Sequence, residues 1–241
     1  MRPIAKGDSP QLTDFSDYRD AFPVLVSRLG TYCSYCERNI RTNLAVEHIQ
    51  PKDEDMYPEL VGRWTNFLLA CVNCNSTKGA KDVRLERVFL PDRDNTFRAF
   101  EYRADGTLNP SQDLDAPATA IAENTLRLLG LDKAISEMVD ENGKFVAIDR
   151  VSQRKQAWLL AQASRADLDN CPTDAMRRQI VRTAMENGFF SIWMKVFHGD
   201  LVMRQMFIDG FTHTAADCFD CATTAPVSPR PANGLPHGGK I

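Results

Sequence analysis

Cys33-Ser-Tyr-Cys36, Leu44-Ala-Val-Glu47-His48-Ile-Gln-Pro51, Trp64-Thr-Asn66 and Cys71-Val-Asn-Cys74-Asn75-Ser-Thr-Lys78-Gly79 follow one another within a single stretch of the chain. Two Cys-x-x-Cys pairs can supply four thiolates to one tetrahedral Zn²⁺, because a two-residue gap lets both sulfurs of a pair reach the same ion. Paired pairs are a far stronger signal than either pair alone, and outweigh the alternative of buried free thiols. Cys33, Cys36, Cys71 and Cys74 are therefore the expected ligands of a structural zinc. The insert between the pairs is longer than in a simple zinc ribbon, and it holds the only Glu-His dipeptide of the chain.

Leu44–Ile49 reads as a strand that Pro51 ends, since proline cannot donate to a ladder. Residues 52–62 read as an acidic loop, Phe67–Ala70 as a second strand, and Asn75–Lys81 as the start of a helix. The order is strand, long loop, strand, helix, with a cysteine pair at each edge. Hydrolysis of a phosphodiester needs an activated water, a Lewis acid and rigid placement of both. His48 has the titration range of a general base. Glu47 and Asn75 offer hard oxygen donors suited to Mg²⁺ or Mn²⁺. Lys78, three residues after Asn75, falls on the same helix face and can pair with a phosphate. A closed structural zinc and a separate catalytic divalent ion are thus expected.

These residues resemble the HNH endonuclease family, whose core is a ββα-metal fold. The resemblance implies that His48 is the general base, that Glu47 and Asn75 bind the catalytic metal, and that Asn66 orders the loop between the strands. This chain has Glu where many members have Asp, and Asn in place of the final His; both keep a metal ligand. Met1-Arg-Pro-Ile4, Tyr32-Cys-Ser-Tyr-Cys-Glu-Arg38, Val46–Lys52, Asn66–Cys71, Asn73–Gly79 and Pro91–Phe97 are similar to the PtuB-type nuclease subunits of Septu and retron-associated anti-phage systems. That likeness covers the first half of the chain. It implies a PtuA-type ATPase partner, in some systems a retron reverse transcriptase with its nucleic acid, and a DNA or tRNA target. The alternative is a non-catalytic zinc-ribbon adaptor that binds nucleic acid or protein.

The remainder sets limits. The chain has 241 residues, 43% hydrophobic and 25% charged, with a formal net charge of -3. That is an ordinary globular composition, and any contact with nucleic acid must come from a local patch or a partner. No apolar run is long enough to span a bilayer, and the N-terminus lacks a signal-peptide h-region, so a cytoplasmic location is expected. Seven cysteines in a reducing compartment favour metal over disulfides.

Met1–Leu12 reads as an extended arm. Asp17–Leu29 has helical apolar spacing, restarted at Pro23 and ended at Gly30. Asp92–Pro110 reads as a β-hairpin, with Thr96–Tyr102 as strand and Ala104-Asp-Gly106 as turn. Helices are expected over Ala118–Leu129, Asp132–Val139, Val151–Asp167, Thr173–Asn187, Phe189–Phe197 and Asp200–Ile208. The expected fold class is α+β: a nuclease module with an appended hairpin over 1–110, a helical partner-docking domain over 111–221, and a flexible tail over 222–241. On that division a chain ending near Pro110 keeps the metal site. Arg150, Arg154 and Lys155, like Arg177, Arg178 and Arg182, read as solvated helix faces. Cys218 and Cys221, with His213 nearby, form a single pair and a weak second metal candidate.

Overall fold

A computed structural model describes residues 1–53, 55–133 and 149–241. Its centre is an antiparallel pair, β1 (Leu44–His48) and β2 (Phe67–Cys71), in which His48 faces Phe67 and Leu44 faces Cys71. All five residues of β2 are buried, so the strand runs apolar on both faces. Helix α1 (Phe22–Leu29) precedes the pair. Its proline sits in the first turn, where a missing N–H costs nothing, and Leu25 and Leu29 face the core.

Helix α2 (Val72–Lys78) follows β2 directly. It starts three residues earlier than expected, at Val72, because Cys71 is already at the extended N-cap position. Cys74 and Asn75 thus both ride on the helix. Gly79, at φ 56°, ends it.

The appended hairpin is shorter than expected. Thr96–Ala99 forms a helical turn, α3, and only Phe100–Tyr102 (β3) and Leu108–Pro110 (β4) pair. Tertiary bonds override the strand propensity of Thr96-Phe97. Thr96 Oγ1 donates to the Met1 carbonyl at 2.9 Å, and Asn95 Nδ2 donates to the Cys218 and Val227 carbonyls, both at 2.7 Å.

Helices α4 (Ala116–Leu129), α5 (Arg150–Asn170), α6 (Asp174–Asn187), α7 (Phe190–Val196) and α8 (Leu201–Gly210) make up the helical half. The expected helix Asp132–Val139 lies largely outside the described residues. Asp115, Asp149, Thr173 and Asp200 cap α4, α5, α6 and α8 through their side chains. No helix among the described residues is long and apolar enough to cross a membrane.

One continuous apolar core runs from Leu25 through Phe67 and Leu69 to Trp193 and Phe207. The cysteine knuckle and the helical half meet in it. Glu37 accepts from Ser191 Oγ at 2.6 Å and Ser191 N at 3.0 Å, and the Phe189 N–H donates to the Glu37 carbonyl at 2.9 Å. Gly188 passes so near the knuckle that a Cβ would lie 2.5 Å from the Glu37 carbonyl oxygen, so only glycine fits there.

Two terminal segments depart from expectation. Instead of forming an arm, Arg2, Ile4 and Lys6 are buried. Lys6 Nζ donates to the Phe67 carbonyl at 2.7 Å and pairs with Asp92 at 2.9 Å. The tail is equally engaged. Arg230 donates to the Pro91 and Ile4 carbonyls at 2.9 Å each, Lys240 pairs with Asp94 at 2.9 Å, and Ile241 is buried. Their local sequences are polar and rich in Gly and Pro, and their partners lie up to 226 residues away. No local pattern encodes such contacts.

Candidate active site and metal centre

The four cysteines of the two pairs converge. Their sulfurs lie within 4.8 Å of one another and all four residues are buried. The Cys36 and Cys71 sulfurs are 3.7 Å apart. A Zn–S bond of about 2.3 Å in a tetrahedron sets sulfurs about 3.8 Å apart, so the donor set fits Zn²⁺. The thiols share protons unevenly. Hydrogen bonding from Cys33, then from Cys36 and Cys74, pulls Cys71 far below the ordinary thiol range, and Cys33 likewise pulls Cys36 down to about 7. Burial pushes Cys33 up. Thiols this crowded are stable as thiolates only around a cation.

Two arginines add positive charge to the cluster. Arg38 donates to Cys36 Sγ at 3.4 Å and to Cys71 Sγ at 3.0 Å; Arg150 donates to Cys74 Sγ at 3.3 Å. Arg150 also donates to the Leu129 carbonyl at 2.9 Å and to the Gly130 carbonyl. Arg154 is buried and donates to the Gly106 and Leu131 carbonyls. The start of α5 is therefore no solvated face. Arg38 was legible as a cation two residues from Cys36. Arg150 carried no such signal, being 76 residues from Cys74.

Above the cluster, β1, α1 and α2 enclose a cleft of about 660 Å³, bordered by Glu47, His48, Asn75 and Lys78 and by Tyr18, Arg19 and Lys52. β1 carries Glu47 and His48 at its end. His48 Nε2 lies 2.9 Å from the Val61 carbonyl. A carbonyl only accepts, so Nε2 carries the proton and Nδ1 keeps the lone pair in the neutral ring. Burial, with lesser contributions from Lys52 and Lys78, lowers the His48 pKa. Tyr18 and Phe67 hold the ring edge-on, at 4.7 and 5.1 Å between centroids.

Glu47 is 1% exposed. Burial raises its carboxyl pKa to about 7, against the pull of Lys78. Lys78 Nζ lies 3.1 Å from Glu47 Oε1. The amine is close enough for ion pairing, yet off the hydrogen-bond direction, and Oε1 is buried with no hydrogen bond. A carboxyl whose Oε1 has an ion-pair partner but no hydrogen bond, lining the same cleft as the side-chain amide of Asn75, offers hard oxygen donors that fit a divalent cation. Lys78, expected to face phosphate, is instead buried against that carboxylate.

Asn66 is buried and does not line the cleft. Its Oδ1 accepts from the Gln50 N–H at 2.9 Å, and its Nδ2 donates to the Gln50 carbonyl at 2.9 Å and the Leu60 carbonyl at 3.3 Å. It ties together the two ends of the loop that carries Val61, and so holds the acceptor of His48. Cys218 is buried and Cys221 exposed, and they join no metal-sized group among the described residues.

Residues 33–81 match the HNH endonuclease family. The chain carries an HNH endonuclease domain. The match runs from the first cysteine of the knuckle to just past α2, so it contains both the sulfur cluster and the polar wall of the cleft. A curated relative is the Septu protein PtuB of Bacillus thuringiensis, 34% identical over 117 residues, which are 46% of this chain and 42% of that protein. The alignment thus spans less than half of either. It is longer than the HNH match, which holds the four cysteines, Glu47, His48, Asn75 and Lys78, whereas Tyr18, Arg19 and Arg150 come from outside that match.

Proposed function

We propose that this chain is a metal-dependent endonuclease that hydrolyses phosphodiester bonds in nucleic acid, DNA in the first place and tRNA or other RNA in the second. The observation that carries this reading is the cleft above the cysteine cluster. There an oriented neutral His48, the buried carboxyl of Glu47 with Lys78 3.1 Å from its Oε1, and Asn75 line one space.

Glu47 and Asn75 would hold Mg²⁺ or Mn²⁺, which supplies Lewis acidity toward the phosphate and the leaving oxygen. His48 takes the proton of the attacking water at Nδ1, while its Nε2–H stays on the Val61 carbonyl and favours the imidazolium that forms. Asn66 acts at one remove, by holding that carbonyl in place. Lys78, 3.1 Å from Glu47 Oε1, would be the cation available to a phosphate oxygen where Glu47 serves as a metal ligand. Cys33, Cys36, Cys71 and Cys74 hold Zn²⁺ as a structural ion.

The likeness to a Septu protein supports a place in a cytoplasmic anti-phage complex with a PtuA-type ATPase, docked through the helical half. The deciding experiment is cleavage of plasmid DNA and of tRNA by the full chain, alone and with the co-expressed ATPase. EDTA should abolish cleavage, Mg²⁺ or Mn²⁺ should restore it, and His48→Ala should lack it. Equal cleavage by a folded His48→Ala protein would take the base role from His48, and no metal-dependent cleavage by the wild-type chain, alone or with the ATPase, would leave the zinc-adaptor reading in its place.

A further inference from the structure

Away from the HNH cleft, a second cavity of about 490 Å³ lies between β3, α7, the start of α8 and the loop over 223–226. It shares no lining residue with the first. Arg204 lines it. Arg204 is 6% exposed and forms no ion pair with any described carboxylate. Its Nη2 donates to the Thr224 carbonyl at 2.6 Å, and its Nε is buried with no acceptor among the described residues. A charge taken out of water without a counter-ion is costly, and such groups persist where an anion completes them.

The surroundings describe that anion. Arg98, Lys195 and His198 also line the cavity. Of its two acids, Glu101 is already engaged, with Arg103 at 3.5 Å and Lys195 at 3.7 Å, and Asp113 is exposed to solvent. The wall next to Arg204 is aromatic. Phe97 lies with its ring centroid 5.9 Å from the guanidinium carbon, and Phe100 and Tyr102 continue the surface. The cavity is several times larger than a simple inorganic anion requires, and falls in the range of small-molecule sites. Phe100 and Tyr102 are buried and Phe97 is half-buried, so Phe97 is the ring within reach of a ligand, and a guanidinium with no carboxylate partner beside such a ring is the chemistry that grips a phosphate and packs a base.

We propose that this cavity binds a nucleotide, its phosphate on Arg204 with help from Arg98, and its base against Phe97. The nucleotide arrives either free or as the end of a strand, and the two sources share the same recognition. A site of this kind lets the protein sense a nucleotide, or hold a nucleic-acid end, separately from the cleft that carries His48.

The test is calorimetric titration of the full chain with AMP, GMP, CMP and UMP, with inorganic phosphate, and with a short oligonucleotide with and without its 5′-phosphate. His48→Ala protein serves as the background, so that cleavage does not intrude. Saturable binding of a mononucleotide, tighter than phosphate, is the expected result. A charge-assisted contact of this type corresponds to a loss of roughly 10- to 100-fold on Arg204→Gln. Arg98→Ala, at the rim, weakens binding without touching the core and covers the case in which Arg204→Gln fails to fold. Preference for the 5′-phosphorylated oligonucleotide over the mononucleotides assigns the site to strand ends; the reverse assigns it to free nucleotides. No saturable binding of any nucleotide or oligonucleotide, or binding unchanged in both Arg204→Gln and Arg98→Ala, overturns the proposal.

Discussion

Cys71 and Cys74 sit within a closed shell of sulfur and guanidinium groups, whereas Glu47 and Asn75, borne on the same strand pair and the same helix, border an open cleft. The cluster has every ligand direction filled by protein. The cleft holds a carboxylate oxygen with no hydrogen bond and a histidine with one nitrogen committed. The first arrangement suits an ion that never leaves, the second one that exchanges with water and substrate. Adjacent residues on α2, Cys74 and Asn75, belong to opposite regimes. Fixing the sulfur therefore fixes the amide beside it.

The largest effect should come from the closed region. Cys71→Ser removes one of four ligands, and structural zinc sites contribute about 10–16 kcal/mol in apparent binding free energy. Loss of zinc by metal analysis and of most soluble folded protein is the expected outcome. A zinc-free variant melting near wild type would show that the cluster is not structural. The open region should behave in the opposite way. His48→Ala should lower cleavage by roughly 10²–10⁴-fold, with zinc content and melting temperature nearly unchanged. Parallel loss of fold and activity in that variant would erase the distinction between the regions.

Next in size is the buried group under β2. Asp92 pairs with Lys6 at 2.9 Å and Arg93 at 3.1 Å, and Arg93 donates to the Thr65 carbonyl. Burial pushes the Asp92 carboxyl up, but Lys6 and Arg93 outweigh it and hold it below the ordinary carboxylate range. Its contribution is fully present above the unfolded value of about 3.9 and is lost as pH falls toward the folded value. Asp92→Asn should cost about 3–5 kcal/mol, because two buried cations lose their partner. Denaturant titration at pH 7 and in acid should show the gap between variant and wild type narrowing as pH falls. A gap that widens in acid would contradict the linkage.

Asn66→Ala leaves the Gln50 N–H and carbonyl without partners and should cost about 1–3 kcal/mol. It loosens the Val61 carbonyl on His48, so its cleavage rate should fall more steeply than its stability; melting and rate measured together separate the two. The smallest effect concerns pH. His48 acts as the neutral ring and its pKa is lowered, so its step in cleavage should rise with pH through a midpoint below the ordinary imidazole range, and at sub-saturating metal the ionisation of Glu47, raised to about 7, should add a second rise above it. Lys52→Gln removes one of the charges that lower the His48 pKa, and that midpoint should move up. A midpoint moving down would mean that another group titrates.

The helical half modifies one expectation about parts. A chain ending at Pro110 loses Arg150 from Cys74 and Ser191 from Glu37, and it exposes a core that runs through both halves. The cysteine spacing suggested an independent module, yet the knuckle is finished by residues from α5 and α7.

Much of the local structure was legible because it follows from short-range rules. Two-residue cysteine spacing, the Glu-His dipeptide, Pro51 after the strand and the glycines ending α2, α4 and α6 act through neighbours in the chain. The caps Asp115, Thr173 and Asp200 are of the same kind. Tertiary structure alone decided that Arg150 joins the sulfur cluster, that Lys78 neutralises Glu47, that Arg2 and Lys6 lie in the core, and that the segment around Arg230 is pinned to Ile4. The physical reason is the same in each case. An arginine or lysine on a polar stretch looks solvated until the fold shows which distant carbonyls, thiolates and carboxylates take it out of water.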